Sequence, residues 1–448
     1  MLRVVSFVLL IVLALIFFIE YTSVFTTYHS ESISNVSGDF LKEQNFEEQY
    51  EISVTFSSTS SETKKDIVDD RVVVNHVPLP EQVKAIYMSA CVAGTPSFRS
   101  DLVDLIEETE LNSVMIDIKD YSGTISFPIQ SEVWSSAWQK ATCGAYDMKE
   151  FIADLHDRGI FVIGRITVFQ DSFYTQKNPH MAVQRIDGSV WTDYKGLGFV
   201  DVAARDFWDD IIELSIASYN LGFDELNFDY IRYPSDGDMK QAIYPHTREG
   251  DFPNDYPANL EKFFVYLHEA MTDPENFSAV NHQNTGREVS IPWTSADTFG
   301  MTTTSYNDLA IGQVQERIAP YFDFIAPMVY PSHYPNNWNG YSNPNHYPYQ
   351  IVYEAMTSGV ARMKASTTPV YGFLHERIGT STPPVYSKPV FSASNMRTWI
   401  QDFNYGGYYG PEEVRAQIQA SYDAGVMSWM MWAPSNRYTK EALVPFYE

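Results

Sequence analysis

Asp224-Glu225-Leu226-Asn227-Phe228-Asp229-Tyr230-Ile231-Arg232-Tyr233-Pro234 is an apolar, aromatic run that ends at a proline and, from Glu225 onward, keeps its acid and amide groups on one parity. Successive side chains of a strand point to opposite faces. One face therefore carries Asn227 and Asp229, with Glu225 deeper, and the other carries Leu226 and Phe228. In a barrel the outer face packs against helices, so polar side chains belong inside, towards the mouth. Asp229 would then stand at the C-terminal end of its strand, where the sites of (β/α)8 barrels lie.

The same unit recurs on both sides of this run. Short β-rich stretches alternate with amphipathic helical ones, the pattern of repeated βα units. The strands expected are 83–90, 113–120, 161–169, 224–234, 288–297, 322–334, 396–403 and 426–434. Helical stretches such as 97–110, 148–159, 207–222 and 411–425 lie between them. Eight units over residues 81–448 predict a (β/α)8 TIM barrel. The seventh strand has a rival in 368–379, so residues 365–396 are either an insertion or the source of that strand. A doubly wound open sheet fits less well, because no glycine-rich phosphate loop follows the first strand.

A barrel brings all the strand ends to one rim. Candidate catalytic carboxylates there are Asp229, Asp297, Asp402 and Asp117. Candidate substrate-binding residues are Lys119, Asn227, Arg232, Arg165, Tyr330, His333, Tyr334 and Trp432. Alternation puts Asp117 and Lys119 on one face, as an acid tuned by a lysine or as a structural ion pair. Trp429 and Trp432 cannot share a strand face, so at least one belongs to the core. Asp402 is also placed to cap a neighbouring loop. Nothing has the spacing of a metal site, and no cofactor is expected.

Composition narrows the ligand. The formal charge of −27 disfavours nucleic acid, anionic membrane surfaces and polyanionic substrates. A neutral or cationic ligand fits better. Aromatic residues make up 15% of the chain, and Tyr and Trp rings suit both a large core and stacking on sugar faces.

The chain opens with Arg3 and the apolar run Val4–Ile19, followed by Glu20, Tyr21 and Thr22 rather than a small-residue cleavage site. Residues 1–21 read as an uncleaved signal anchor, with a cleaved signal peptide as the alternative. Residues 22–80 are rich in Ser, Thr and Glu and read as a disordered stalk. The barrel is then extracytoplasmic, touching the membrane through the N-terminal helix alone. The only cysteines, Cys91 and Cys143, follow the first and second strands at the same rim. A disulfide is expected, with two buried thiols as the alternative.

The motifs at 224–234, Met328–Tyr334, Ser113–Gly123 and Trp399–Phe403, with the late Trp429-x-x-Trp432-x-Pro434-x-Asn436, are similar to those of the putative glycosyl hydrolase domain family. The resemblance covers about residues 82–445. It implies a barrel, a cell-surface setting and glycoside hydrolase activity on a polysaccharide or oligosaccharide. The strand-four Asp of related barrels falls on Asp229. The strand-five Glu that donates the proton in several of them is absent, and Asp297 stands in that region. The segment 365–396 is longer than the family pattern, which implies a remodelled cleft. A carbohydrate-binding barrel without turnover is the main alternative, and a polysaccharide deacetylase or lyase is a further one.

Overall fold

A computed structural model describes residues 71–446. The expected anchor at 1–21 and stalk residues 22–70 lie outside the described residues. A short strand β1 (Val73–Asn75) leads into the barrel strands β2 (Lys84–Met88), β3 (Ser113–Lys119), β4 (Phe161–Thr167) and β5 (Glu225–Asp229). After β6 (Asn281–Gln283) come β7 (Trp293–Phe299) and β8 (Phe324–Met328). Three two-residue strands follow, β9 (Thr367–Thr368), β10 (Glu376–Arg377) and β11 (Tyr386–Ser387), and then β12 (Thr398–Gln401) and β13 (Trp429–Trp432).

Eight of these close a parallel barrel in the order β12-β13-β2-β3-β4-β5-β7-β8. All eight expected strands are the barrel strands, and β12 settles the seventh. Residues 365–396 hold the small antiparallel sheet β10-β11-β9 instead. This insertion packs on the helix layer: Phe373 N–H donates to Glu261 Oε1 (2.7 Å), and the rings of Phe373 and Phe252 lie 5.3 Å apart.

Strand alternation divides the core in two. Ala85, Met115, Ile163, Ala326, Trp399 and Met430 fill the barrel interior. Ile86, Val114, Ile116, Leu226 and Phe228 face the helices. The helix Arg205–Leu221 shows how the outer layer is read from sequence. It buries Phe207, Trp208, Ile211, Leu214, Ser215 and Ser218, a stripe at helical spacing. It stops at Gly222, whose φ of 131° is open to glycine.

The folded unit begins before residue 81. Residues 71–80, read from composition as the end of the stalk, include β1, which pairs in parallel with β6. His76 fixes this segment under the barrel through Asp224 Oδ1 (3.0 Å) and His282 Nδ1 (2.9 Å). Composition alone could not show this, since the partners lie 148 and 206 residues away. Among the described residues no helix is long and apolar enough to cross a membrane.

Candidate active site

The registers of β3, β4, β5 and β7 align Asp117, Arg165, Asn227 and Ser295 across four neighbouring strands. All four are buried. One step nearer the mouth stands Asp229, opposite Thr167 of β4. A polar layer inside an otherwise apolar barrel must satisfy itself. Arg165 is its centre. Its Nη1 donates to Asp117 Oδ1 (2.7 Å), while Nε and Nη2 donate to Asp229 Oδ2 (3.1 and 2.5 Å). The other oxygen of Asp117 accepts from the Tyr87 hydroxyl (2.5 Å). The guanidinium fork is planar, so two fixed carboxylates also fix its orientation.

The chain turns sharply after Asp229. Tyr230 adopts φ of 52°, a left-handed conformation that a bulky residue rarely takes. The turn brings the Tyr230 N–H onto Asp229 Oδ1 (2.6 Å). Both oxygens of Asp229 therefore accept hydrogen bonds, as a carboxylate requires.

Asp297, on the adjacent strand β7, has the opposite surroundings. Its Oδ1 accepts from the Trp399 indole (2.7 Å) and Asn227 Nδ2 (3.0 Å). Burial, then repulsion from Asp229, pushes its carboxyl up to about 8, against the pull of those two donors and of Arg165. Burial and the neighbouring carboxylate therefore favour its protonated form. Oδ1 is occupied by two donors, which leaves Oδ2 as the oxygen open to a proton.

Asp229 and Asp297 line one pocket at the barrel mouth with Arg165, Tyr230, Arg232, Phe299, Met328, Tyr330, His333, Trp399 and Trp432. Trp432 leans on Tyr87, with centroids 4.2 Å apart, and lies near the Arg165 guanidinium (5.5 Å). Burial, then the neighbouring Asp297 and Asp229 carboxyls, raises the pKa of the Tyr330 phenol well above the usual range, so the hydroxyl keeps its proton. A hydroxyl, an arginine, an indole face and two unlike carboxyls thus converge on one open space.

Seven of the expected site residues line this pocket: Asp229, Asp297, Arg165, Arg232, Tyr330, His333 and Trp432. Asp117 and Asn227 stand behind it, holding Arg165 and Asp297. Three do not reach it. The register of β3 against β4 shifts between Asp117 and Lys119, which breaks the alternation that would have put Lys119 beside Asp117. Lys119 is buried instead against Asp171 Oδ2 (2.9 Å) and the Thr167 carbonyl (2.5 Å). Asp402 gives both oxygens to Thr439, accepting from its N–H (2.7 Å) and hydroxyl (2.6 Å), so it is a loop cap. Tyr334 is core, packed edge-on against Trp338 at 4.6 Å.

The structure also settles the parts of Arg232 and Trp429. Arg232 lines the pocket but turns its guanidinium to the Tyr233 carbonyl and Ser235, and the cation on Asp229 is Arg165. Trp429, one of the two alternating tryptophans, is the core member and donates to the Tyr422 hydroxyl (3.0 Å). Sequence reasoning missed Tyr87 and Trp399. Both sit on the inward parity of their strands, which was the available signal.

Cys91 and Cys143 are joined, with Cα atoms 4.5 Å apart, tying the loops after β2 and β3 together. No residue of 365–396 lines the pocket, so the insertion does not remodel it. Its place between a helix and the next barrel strand puts it outside the βα loops that build the mouth.

The family model described as putative glycosyl hydrolase domain matches residues 85–438. Among solved structures, the glycoside hydrolase domain of PgaB (BpsB) from Bordetella bronchiseptica is 13% identical with a TM-score of 0.53, covering 82% of this chain and 99% of that one. Alpha-L-fucosidase isoenzyme 2 from Paenibacillus thiaminolyticus is 12% identical, at 0.48 over 81% of this chain and 48% of its own. A hypothetical protein from Ruminiclostridium thermocellum ATCC 27405 is 27% identical, at 0.36 over 44% of this chain and 95% of its own. The likeness to the Bordetella domain is one of fold. No curated protein matches this chain.

Proposed function

Because the chain belongs to the putative glycosyl hydrolase domain family, we propose that it hydrolyses glycosidic bonds with Asp229 as the ionised carboxylate and Asp297 as the proton donor. One observation carries this reading: two carboxyls line a single pocket on adjacent strands, one bound by Arg165 and one pushed up to about 8. Glycoside hydrolysis needs such a pair, one acid and one base or nucleophile. Asp297 gives its proton to the leaving oxygen as the bond to the anomeric carbon breaks. Asp229 stabilises the positive charge that develops there, either by attacking the carbon or by activating water. Arg165 fixes the Asp229 carboxylate in place, so little reorganisation is needed during the reaction. Tyr330, Arg232 and Trp432 are available to bind hydroxyls and a sugar face.

The setting belongs to the same proposal. The apolar run Val4–Ile19 and the Cys91–Cys143 bridge support an anchored, extracytoplasmic barrel acting on cell-envelope or extracellular polysaccharide. The test is turnover of a panel of aryl glycosides and polysaccharides by the wild type and by Asp229→Asn. The reading requires cleavage of at least one substrate by the wild type and its loss in the variant. Binding without any cleavage would transfer the pocket to a carbohydrate-binding role.

A further inference from the structure

The loop after β12, residues 402–410, is tied down along its length. Asp402 is held by Thr439, Asn404 Oδ1 accepts from Tyr409 N–H (2.7 Å), and Asn343 Nδ2 donates to the Gly406 carbonyl (3.3 Å). Gly406 and Gly407 approach Asn345 so closely that a Cβ on them would come within 2.5 and 2.8 Å of it. Tyr409 is buried as the anchor. This constrained loop nevertheless leaves Tyr405 66% and Tyr408 70% exposed. Phe403, on the same loop, meets the ring of the pocket residue Tyr330 at 6.1 Å, so the loop that carries the two exposed rings starts beside the pocket.

The two tyrosines are not alone at this end of the barrel. Tyr121, Tyr194 and Tyr306 are also exposed, in the loops that follow β3, β4 and β7 at the same end of the barrel. A tyrosine ring offers an apolar face and keeps a hydroxyl in water, which suits the C–H face and hydroxyls of a sugar. Exposed leucine, isoleucine or phenylalanine would instead suit a dry protein contact.

We propose that Tyr405 and Tyr408 form a stacking subsite for a glycan chain that continues out of the pocket, so that the substrate is a polymer laid across the rim. The proposal rests on the glycosidase reading of the pocket. The net charge of −27 favours a neutral or cationic polymer over a polyanionic one.

The test reads binding without turnover. Asp229→Asn protein is run by affinity electrophoresis through gels containing hydroxyethylcellulose, glycol chitosan or dextran, beside the same protein carrying Tyr405→Ala and Tyr408→Ala. At least one polymer should retard the parent, with an apparent Kd about tenfold weaker in the tyrosine variant. Both rings are exposed, so circular dichroism should show both proteins folded. Equal retardation of the two proteins, including retardation by charge alone, overturns the proposal, as does no retardation by any of the three. Retardation that depends on the tyrosines, in a protein whose wild type cleaves nothing, would keep the subsite and remove the glycosidase reading.

Discussion

Arg165 grips Asp229 with two nitrogens, Nε at 3.1 Å and Nη2 at 2.5 Å from the same oxygen, and directs its third to Asp117. One buried cation therefore serves two buried acids. The arrangement makes Arg165 a positioning residue for the proposed nucleophile or base. It also makes the site sensitive to any change at position 165.

Arg165→Met should leave Asp117 and Asp229 facing each other without a cation. Breaking a buried pair in this way costs about 3–5 kcal/mol, so a large fall in the denaturation midpoint is predicted. Arg165→Lys keeps the charge and loses the fork. It should fold, with kcat reduced far more than KM is raised. Unchanged kcat in a folded Arg165→Lys would show that orientation of Asp229 does not matter.

Asp297 predicts a stability effect with a definite sign. Its folded value of about 8 lies above the unfolded value of about 4, so the unfolded chain releases this proton first as pH rises. Between those limits the folded state loses relative stability with increasing pH. Asp297→Asn keeps an acceptor for Trp399 and Asn227 and removes that penalty. The variant should gain thermal stability over the wild type at pH 8, with little or no gain at pH 4. Melting curves at the two pH values check this, and equal shifts at both would refute the assignment. The same group predicts that kcat/KM falls as pH rises through about 8, because the donor is then deprotonated.

The bridge between Cys91 and Cys143 closes a span of 52 residues across two neighbouring βα loops. Its removal by Cys91→Ser with Cys143→Ser should cost about 2–4 kcal/mol of stability. Thiol labelling of the denatured, unreduced wild type should find no free cysteine. Two labelled thiols per chain would exclude the bridge.

The proposed topology is tested on intact cells. Protease added outside should release a soluble barrel starting near residue 70, because the pairing of β1 and the hydrogen bonds of His76 protect the chain from there onward. Recovery of the whole chain in the cytosolic fraction would refute the extracytoplasmic setting.

The barrel was legible because its strands alternate strongly and its helices carry apolar stripes. Asp229 and Asp297 were legible for the same reason, as inward residues at strand ends. Lys119 was misplaced because a local register shift reverses parity, and no residue type announces such a shift. Asp402 shows a second limit. An acid at a strand end is also a good cap, and only the position of Thr439 decides between the two uses. Residues 71–80 show a third, since their strand exists through partners some two hundred residues away.

The most direct test compares Asp229→Asn and Asp297→Asn on two substrates, a glycan the wild type cleaves and an aryl glycoside of the same sugar with a good leaving group. Such a leaving group needs little protonation. The account predicts that Asp297→Asn loses several orders of magnitude on the glycan and far less on the aryl glycoside. Asp229→Asn should lose comparably on both while still binding them, because a transition-state contact is removed and ground-state contacts remain. Near-normal turnover of both substrates by Asp229→Asn would contradict the account.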